Sequence, residues 1–246
     1  MKTRKKIPKV IHYCWFGGKE KPNIVKECID SWYTNLSDYE IIEWNETNFD
    51  IHSNRYIKEA YEAKKFAFVS DYVRLHALFH VGGIYLDTDV KVFKAFDDLL
   101  LGEAFWGFEQ EEYIATSTFG ARKGYPFIKE FMELYHQRNF LKNNGEIDDF
   151  TNVAMVTKLL TNRGLVRNGK QQSIEGVGTV YPQEYFSPYD YINCRDLQSE
   201  DTYAMHLFYQ SWLPKSTRVK KNIKKTLSRV IGGENVYRMR KLTQKN

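Results

Sequence analysis

Two periods alternate along this chain. Residues 9–16 switch between apolar and polar every second position and run into Gly17-Gly18, which predicts a first strand and a tight turn. Pro22 suits the first turn of a helix that runs to about Asn35. Residues 39–44 alternate again as a second strand, with Trp44 and Asn45 near its exit. A polar helical stretch follows over residues 53–67. It leads into a helix with Val69, Tyr72, Val73, His76, Ala77, Phe79 and His80 on one side. Gly82 and Gly83 stop that helix, because a left-handed residue after a helix is sterically easy only for glycine. Ile84, Tyr85 and Leu86 then read as a buried strand.

Beyond that strand, residues 90–93 continue extended and Leu99, Leu100 and Leu101 pack beneath them. Residues 103–108 and 113–119 read as two more strands separated by the acidic turn of residues 109–112. A loop at 120–126 precedes a helix to about Phe140, and residues 148–163 form another with Phe150, Val153, Ala154, Val156, Thr157 and Leu160 on its apolar side. Short strands and an aromatic, proline-containing loop occupy residues 172–188. Strand and helix alternate through the first half, a βαβ pattern that predicts an α/β fold with a mainly parallel central sheet.

Size and composition add bounds. A chain of 246 residues, 42% hydrophobic and 27% charged, is one ordinary globular domain with room for a full core. Cys14, Cys28 and Cys194 show no C-x-x-C spacing and read as free thiols of a reducing compartment. Residues 1–9 lack an apolar targeting region, and no run of about 18 apolar residues exists, so the chain is expected not to span a membrane. The formal charge of +5 conceals a division. From Lys215 onward eleven Lys and Arg stand against Glu234 alone, a net +10 that leaves −5 for the residues before it. Val219, Ile223, Leu227, Val230 and Ile231 recur at helical spacing within that tail, the pattern of a basic helix lying on an anionic membrane surface. Nucleic acid is not the expected partner, since no recognition motif appears and the body is acidic.

The chemistry centres on Asp87 and Asp89, two residues apart at the exit of the Ile84–Leu86 strand and on one side of it if the chain stays extended. Paired carboxylates repel unless a cation sits between them, and Mg²⁺ or Mn²⁺ bridges such oxygens to phosphates. An isolated D-x-D also arises by chance in a solvated turn. Asp71 and Arg74 share a helix face just upstream, as an ion pair or as an acceptor for sugar hydroxyls beside a cation for phosphate. Trp15 ends the first strand, where a base could stack on it. Glu109 in the acidic turn reads as solvated more readily than as a ligand for hydroxyls.

The string S-D-Y-V-R-L-H-A-L followed by G-G-I-Y-L-D-T-D-V (70–90) resembles the signature of the D-x-D sugar transferases of glycosyltransferase family 32. I-P-K-V-I-H-Y-C-W-F-G-G (7–18) and H-L-F-Y-Q-S-W (206–212) are similar to that family's other blocks, so the likeness covers nearly all of residues 7–214. It implies a GT-A-like, single Rossmann-type domain over residues 1–214, followed by the basic tail, 215–246. It also implies transfer, with retention, of a sugar from a nucleotide-diphosphate donor to a hydroxyl of a glycan or lipid-linked oligosaccharide acceptor, in surface polysaccharide synthesis. A UDP-sugar comes before a GDP-sugar as donor.

In that picture Asp89 binds the metal directly, and Asp87 binds metal, ribose or sugar. Asp71 and Arg74 position the sugar, while Trp15 packs on the base and Tyr85 lies against the nucleotide. Ser211 and Trp212 close a lid over the diphosphate. His206 stands where related transferases place a C-terminal metal ligand or phosphate contact, and as a ligand it would favour Mn²⁺ over Mg²⁺. Thr151-Asn152-Val153 departs from the family's Thr-Gly-Pro-like entry, which puts donor contacts from Asp149 or Asn152 in doubt. The rivals are a nucleotide-sugar hydrolase and a non-catalytic, basic-tailed binding module. The expected location is the cytoplasmic face of the cell membrane.

Overall fold

A computed structural model describes residues 7–142, 145–148, 150–190 and 195–209. The first half follows the expected alternation: β1 (Val10–Cys14), α1 (Asn23–Asn35), β2 (Glu40–Trp44), α2 (Arg55–Glu62), α3 (Phe66–His80), β3 (Gly83–Leu86) and β4 (Val90–Val92). The second half adds β5 (Ala104–Gly107), β6 (Thr118–Ala121), α4 (Pro126–His136), α5 (Asn152–Asn162), β7 (Gln172–Ile174), β8 (Gly178–Tyr181) and the short α6 (Gln183–Phe186). The brief strands β9 (Tyr189–Asp190), β10 (Arg195–Asp196) and β11 (Ala204–His206) close the described chain.

Seven strands form the central sheet in the order β2-β1-β3-β6-β5-β8-β7. β1, β2, β3, β5 and β8 point one way, and β6 and β7 run against them. The sheet is thus mainly parallel, as the βαβ pattern requires. Both faces are covered. Tyr85 and Trp106 face one apolar cluster with α2, α3, α4 and α5, while Ile84, Leu86 and Phe105 face a second with α1 and α6. Strands buried on both sides read as continuous apolar runs, which is why β3 shows no alternation in sequence.

Several boundaries differ from expectation. The 53–67 stretch is split: Asn54 caps α2 by accepting from the Ile57 amide at 2.9 Å, Lys64 adopts φ +56°, and α3 restarts at Phe66. The expected strand at 113–119 begins only at Thr118, because Gln110–Glu112 coil into a 3-10 turn and Ile114 makes a single bridge to Phe108. α4 stops at His136, and α5 starts at Asn152 with Thr151 as its cap. The intervening Asp148 is held by Arg138 at 2.6 Å and stays outside the helix.

The helix-glycine-strand unit holds a polar lock beneath the sheet. His12 is fully buried; Trp44 donates to its Nδ1 at 3.1 Å, so Nε2 carries the proton and donates to the Gly82 carbonyl at 2.8 Å. Burial keeps this imidazole neutral, with a pKa lowered to about 4. Gly82 has φ +79° and Gly83 φ +120°, and a Cβ on Gly83 would lie 2.4 Å from the Val10 carbonyl. No helix among the described residues is long and apolar enough to cross a membrane. Gly83→Ala is therefore expected to lose at least about 2 kcal/mol of stability, from backbone strain and this clash together, as measured by denaturant unfolding. An unchanged midpoint would show that the turn tolerates a side chain.

Candidate functional site: an acidic pair, an imidazole and a buried guanidinium

The C-terminal ends of the parallel strands carry the chemistry. β3 releases Asp87, whose amide donates to the Ser117 carbonyl at 2.8 Å, and Val90 N–H returns to the Asp87 carbonyl at 3.0 Å. Asp87 and Asp89 therefore stand in a tight turn, not on extended chain, and the turn supplies their closeness.

A short two-stranded sheet then adds a third group. β11 pairs antiparallel with β4 and sets His206 opposite Val90, beside Asp89. His206 Nε2 lies 3.3 Å from Asp89 Oδ1, while Asp89 Oδ2 accepts from the Tyr209 amide at 2.8 Å. The Leu207 amide donates to the Asp89 carbonyl at 2.9 Å. Phe208 takes a left-handed φ of +51°, and its ring centroid lies 4.0 Å from that of His206. Strain of this kind gathers at functional sites.

Ligand atoms of Asp87, Asp89 and His206 lie within 4.8 Å of one another, and they form the metal-competent cluster found among the described residues. Two carboxylates with one imidazole suit a divalent cation, and the nitrogen donor favours Mn²⁺ over Mg²⁺. The His206 Nδ1 is buried without a partner. Burial opposes charge at Asp89, but His206 and the Tyr209 amide outweigh it and hold the carboxyl below its usual range. Burial likewise opposes charge on His206, and Asp89 overcomes it, raising the imidazole to about 9.

α3 supplies the other half of the site. Arg74 is 5% exposed, and its Nη2 lies 2.9 Å from Asp71 and 3.3 Å from Asp87. Nη1 donates to the Thr116 carbonyl at 2.6 Å, and the guanidinium sits 4.6 Å from the centre of the Tyr85 ring. Tyr85 itself is 1% exposed and donates its hydroxyl to Asp87 at 3.0 Å, so it acts on the site from below. One guanidinium cannot fully offset two half-buried carboxylates: desolvation, with Asp87 adding to it, lifts Asp71 to about 6 in spite of Arg74. The Asn152 amide donates to the Asp71 carbonyl at 3.1 Å, and its own buried Oδ1 has no partner.

Trp15 stands at the same sheet edge, at the end of β1. It is half-buried, donates to the Lys19 carbonyl at 2.6 Å, and has the Lys21 ammonium 5.6 Å from its ring centre. Lys21 is tied to Glu43 at 2.8 Å, which also accepts from Tyr13. The solvated reading of Glu109 is corrected: the residue is half-buried, its pKa is raised to about 7 by burial, and the charges of His206 and Asp87 act on it. β5 ends at the same edge as β3, and that parallel placement, not any local motif, carries Glu109 there. Asn152, expected inside a helix from residue 148 and named only for a donor contact in doubt, is the first residue of α5. Ser211, Trp212, Asp149, Cys194 and the tail lie outside the described residues.

Comparison with known proteins agrees at the level of family. Inositol phosphoceramide mannosyltransferase 3 of Schizosaccharomyces pombe is 30% identical over 133 residues, which is 50% of this chain and 35% of that protein. The chain thus spans about a third of that relative's length. Among solved structures, the PaToxG glycosyltransferase is 18% identical with a TM-score of 0.49, covering 64% of this chain and 69% of its own. The galactosyltransferase LgtC, solved with donor and acceptor sugar analogues, is 11% identical with a TM-score of 0.47, covering 89% and 95%. A further family profile, described as capsular polysaccharide synthesis protein, matches residues 1–225. The match takes in every element of the site described above, and the chain belongs to the family of capsular polysaccharide synthesis proteins.

Proposed function

We propose that this chain is a metal-dependent glycosyltransferase, moving a sugar from a nucleotide-diphosphate donor to a hydroxyl of a glycan or lipid-linked acceptor with retention. The observation that carries the reading is the Asp87–Asp89–His206 cluster at the C-terminal edge of the parallel strands, adjoining the pair of half-buried Asp71 and buried Arg74. Ligands of α/β folds bind at that edge. The family match and the mannosyltransferase relative support the same direction.

Asp87, Asp89 and His206 would hold the cation, which supplies Lewis-acid stabilisation of the charge that builds on a departing diphosphate. Arg74 is locked by Asp71, Asp87 and the Thr116 carbonyl, so its positive charge is oriented before any donor arrives. Asp71 accepts hydroxyls of the donor sugar, and Asn152, whose amide donates to the Asp71 carbonyl, steadies that turn of α3. Trp15 offers a half-exposed ring face for the base of a UDP-sugar in preference to a GDP-sugar. Glu109 lies near enough for the charges of His206 and Asp87 to act on it, and in this reading its carboxyl orients the incoming acceptor hydroxyl. Ser211 and Trp212 complete a lid in this reading, and the basic tail holds the enzyme on an anionic membrane surface.

Asp89→Asn is expected to lower transfer at least about a hundredfold, with the fold intact by circular dichroism. Thermal protection by Mn²⁺ with UDP or GDP should vanish in the same variant; near-normal turnover would remove the cation role. A nucleotide-sugar hydrolase would instead release free sugar at the same rate with and without acceptors. Asp71 gives a test in which activity and stability separate. Its pKa rises from 3.8 in the free residue to about 6 in the fold, so the native chain binds the extra proton between those values and loses stability as pH rises through them. In Asp71→Asn that loss disappears. Its Tm relative to the parent should therefore climb from pH 4 to pH 7 while transfer falls; a relative Tm that drops over that range contradicts the assignment. Truncation after Pro214 should release the protein from vesicles containing anionic lipid and spare activity on a soluble acceptor. Undiminished vesicle binding would place the membrane contact elsewhere.

A further inference from the structure

Away from the acidic edge, a cleft of about 320 Å³ opens on the sheet face over β5, β7 and β8. Cross-strand pairing sets its floor. Phe105 lies opposite Thr179, Thr179 opposite Ser173, and Tyr181 opposite Gly107, so these side chains share one face. Asp98 and Leu101, at the 3-10 turn before β5, form its wall.

Three features define what would fit. First, Tyr181 begins a ladder of stacked rings: Tyr181 to Tyr185 at 4.9 Å and 29°, then Tyr185 to Tyr203 at 5.9 Å and 26°. Lys94 caps the far end, 4.1 Å from the Tyr203 ring centre. Of the ladder's tyrosines, Tyr181 lines the cleft. Second, hydroxyls and a carboxylate gather beside that ring. Ser173 Oγ and Thr179 Oγ1 are 3.3 Å apart, and Asp98 uses Oδ2 to accept from Tyr203. Third, no Lys or Arg is among the lining residues, so a phosphate or nucleotide would find no counter-charge there.

An aromatic ring for apolar C–H surface, paired hydroxyls and a carboxylate acceptor together match an uncharged sugar. The volume lies at the lower end of the range for small-ligand sites. Phe105 stands level with Gly120 and hence with Ile84, three residues short of Asp87 and two strand spacings away. At about 3.3 Å per residue and about 4.8 Å per strand, the cleft is roughly 14 Å from the acidic pair. The buried cluster of Leu86, Phe105 and Phe186 fills the direct path, so an oligosaccharide joining the two places would run over the surface and be longer than that span.

We propose that this cleft is a second glycan site, which grips an uncharged sugar unit of the acceptor some units away from the reacting hydroxyl. The acceptor part of the proposal rests on the transferase reading; sugar binding in the cleft does not. The test uses the full chain and neutral hexasaccharides (maltohexaose, cellohexaose and mannohexaose), with binding followed by calorimetry and tyrosine fluorescence. At least one sugar should bind without nucleotide or metal, and Tyr181→Ala should weaken it about tenfold. Ser173→Trp, at an exposed position where folding is not at stake, should block the cleft and do the same. Asp89→Asn should leave this binding unchanged, whether or not it abolishes transfer, which separates the cleft from the catalytic reading. With an active enzyme, both cleft variants should raise KM for a hexasaccharide acceptor and leave kcat, and KM for a monosaccharide acceptor, as they were. No binding by any of the three sugars, or equal binding by both cleft variants and the parent, would overturn the proposal.

Discussion

The site depends on one charge in an unfavourable place. Arg74 is almost fully withdrawn from water, and a bare buried guanidinium would be prohibitive without paired anions and hydrogen bonds. Asp71 and Asp87 supply the anions, the Thr116 and Ser70 carbonyls accept two of the other three N–H groups, and the Tyr85 ring lies alongside. The arrangement constrains both sides. α3 must dock on β3 so that positions 71 and 74 face the strand's exit, and β3 must end where Asp87 meets them. The two glycines between helix and strand make the docking close enough, since Gly83 leaves no room for a side chain against β1.

With Asp87 held from one side by Arg74 and Tyr85, Asp89 falls to the other side of the turn, toward β4 and β11. There the chain returns after more than a hundred residues. It secures Asp89 through two backbone amides and brings in an imidazole. The acidic pair is thus divided between two support systems: a buried cation from the helix and a strand from the end of the domain. Each carboxylate has a different partner, so the two need not share one environment. Such division is how neighbouring acids come to hold distinct roles.

Much of this was legible in residue order. The β1-turn-α1-β2 opening, the glycine stop of α3 and the acidic exit of β3 are local signals, each set by the conformational freedom of a glycine or the period of a few apolar residues. The three-residue spacing of Asp71 and Arg74 placed them on one helix face without further information. Boundaries went astray where tertiary contacts overrode propensity. Asp148 left its helix for Arg138, and residues 113–117 left their strand because Gln110–Glu112 coiled and Arg74 claimed the Thr116 carbonyl.

Glu109 illustrates the remainder. An acidic turn looks solvated in sequence, yet parallel strands end at a common edge, and the turn after β5 is carried to the exit of β3 although 22 residues separate Glu109 from Asp87. The same logic brings His206 to Asp89 through the β4–β11 register. By itself the sequence determined the strand-helix alternation, the acidic pair and the Asp71–Arg74 face, because those follow from spacing over a few residues. Only the tertiary structure decided which distant groups meet that pair and how deeply each is buried, because strand order and register are set by the packing of two cores and leave no trace in local spacing.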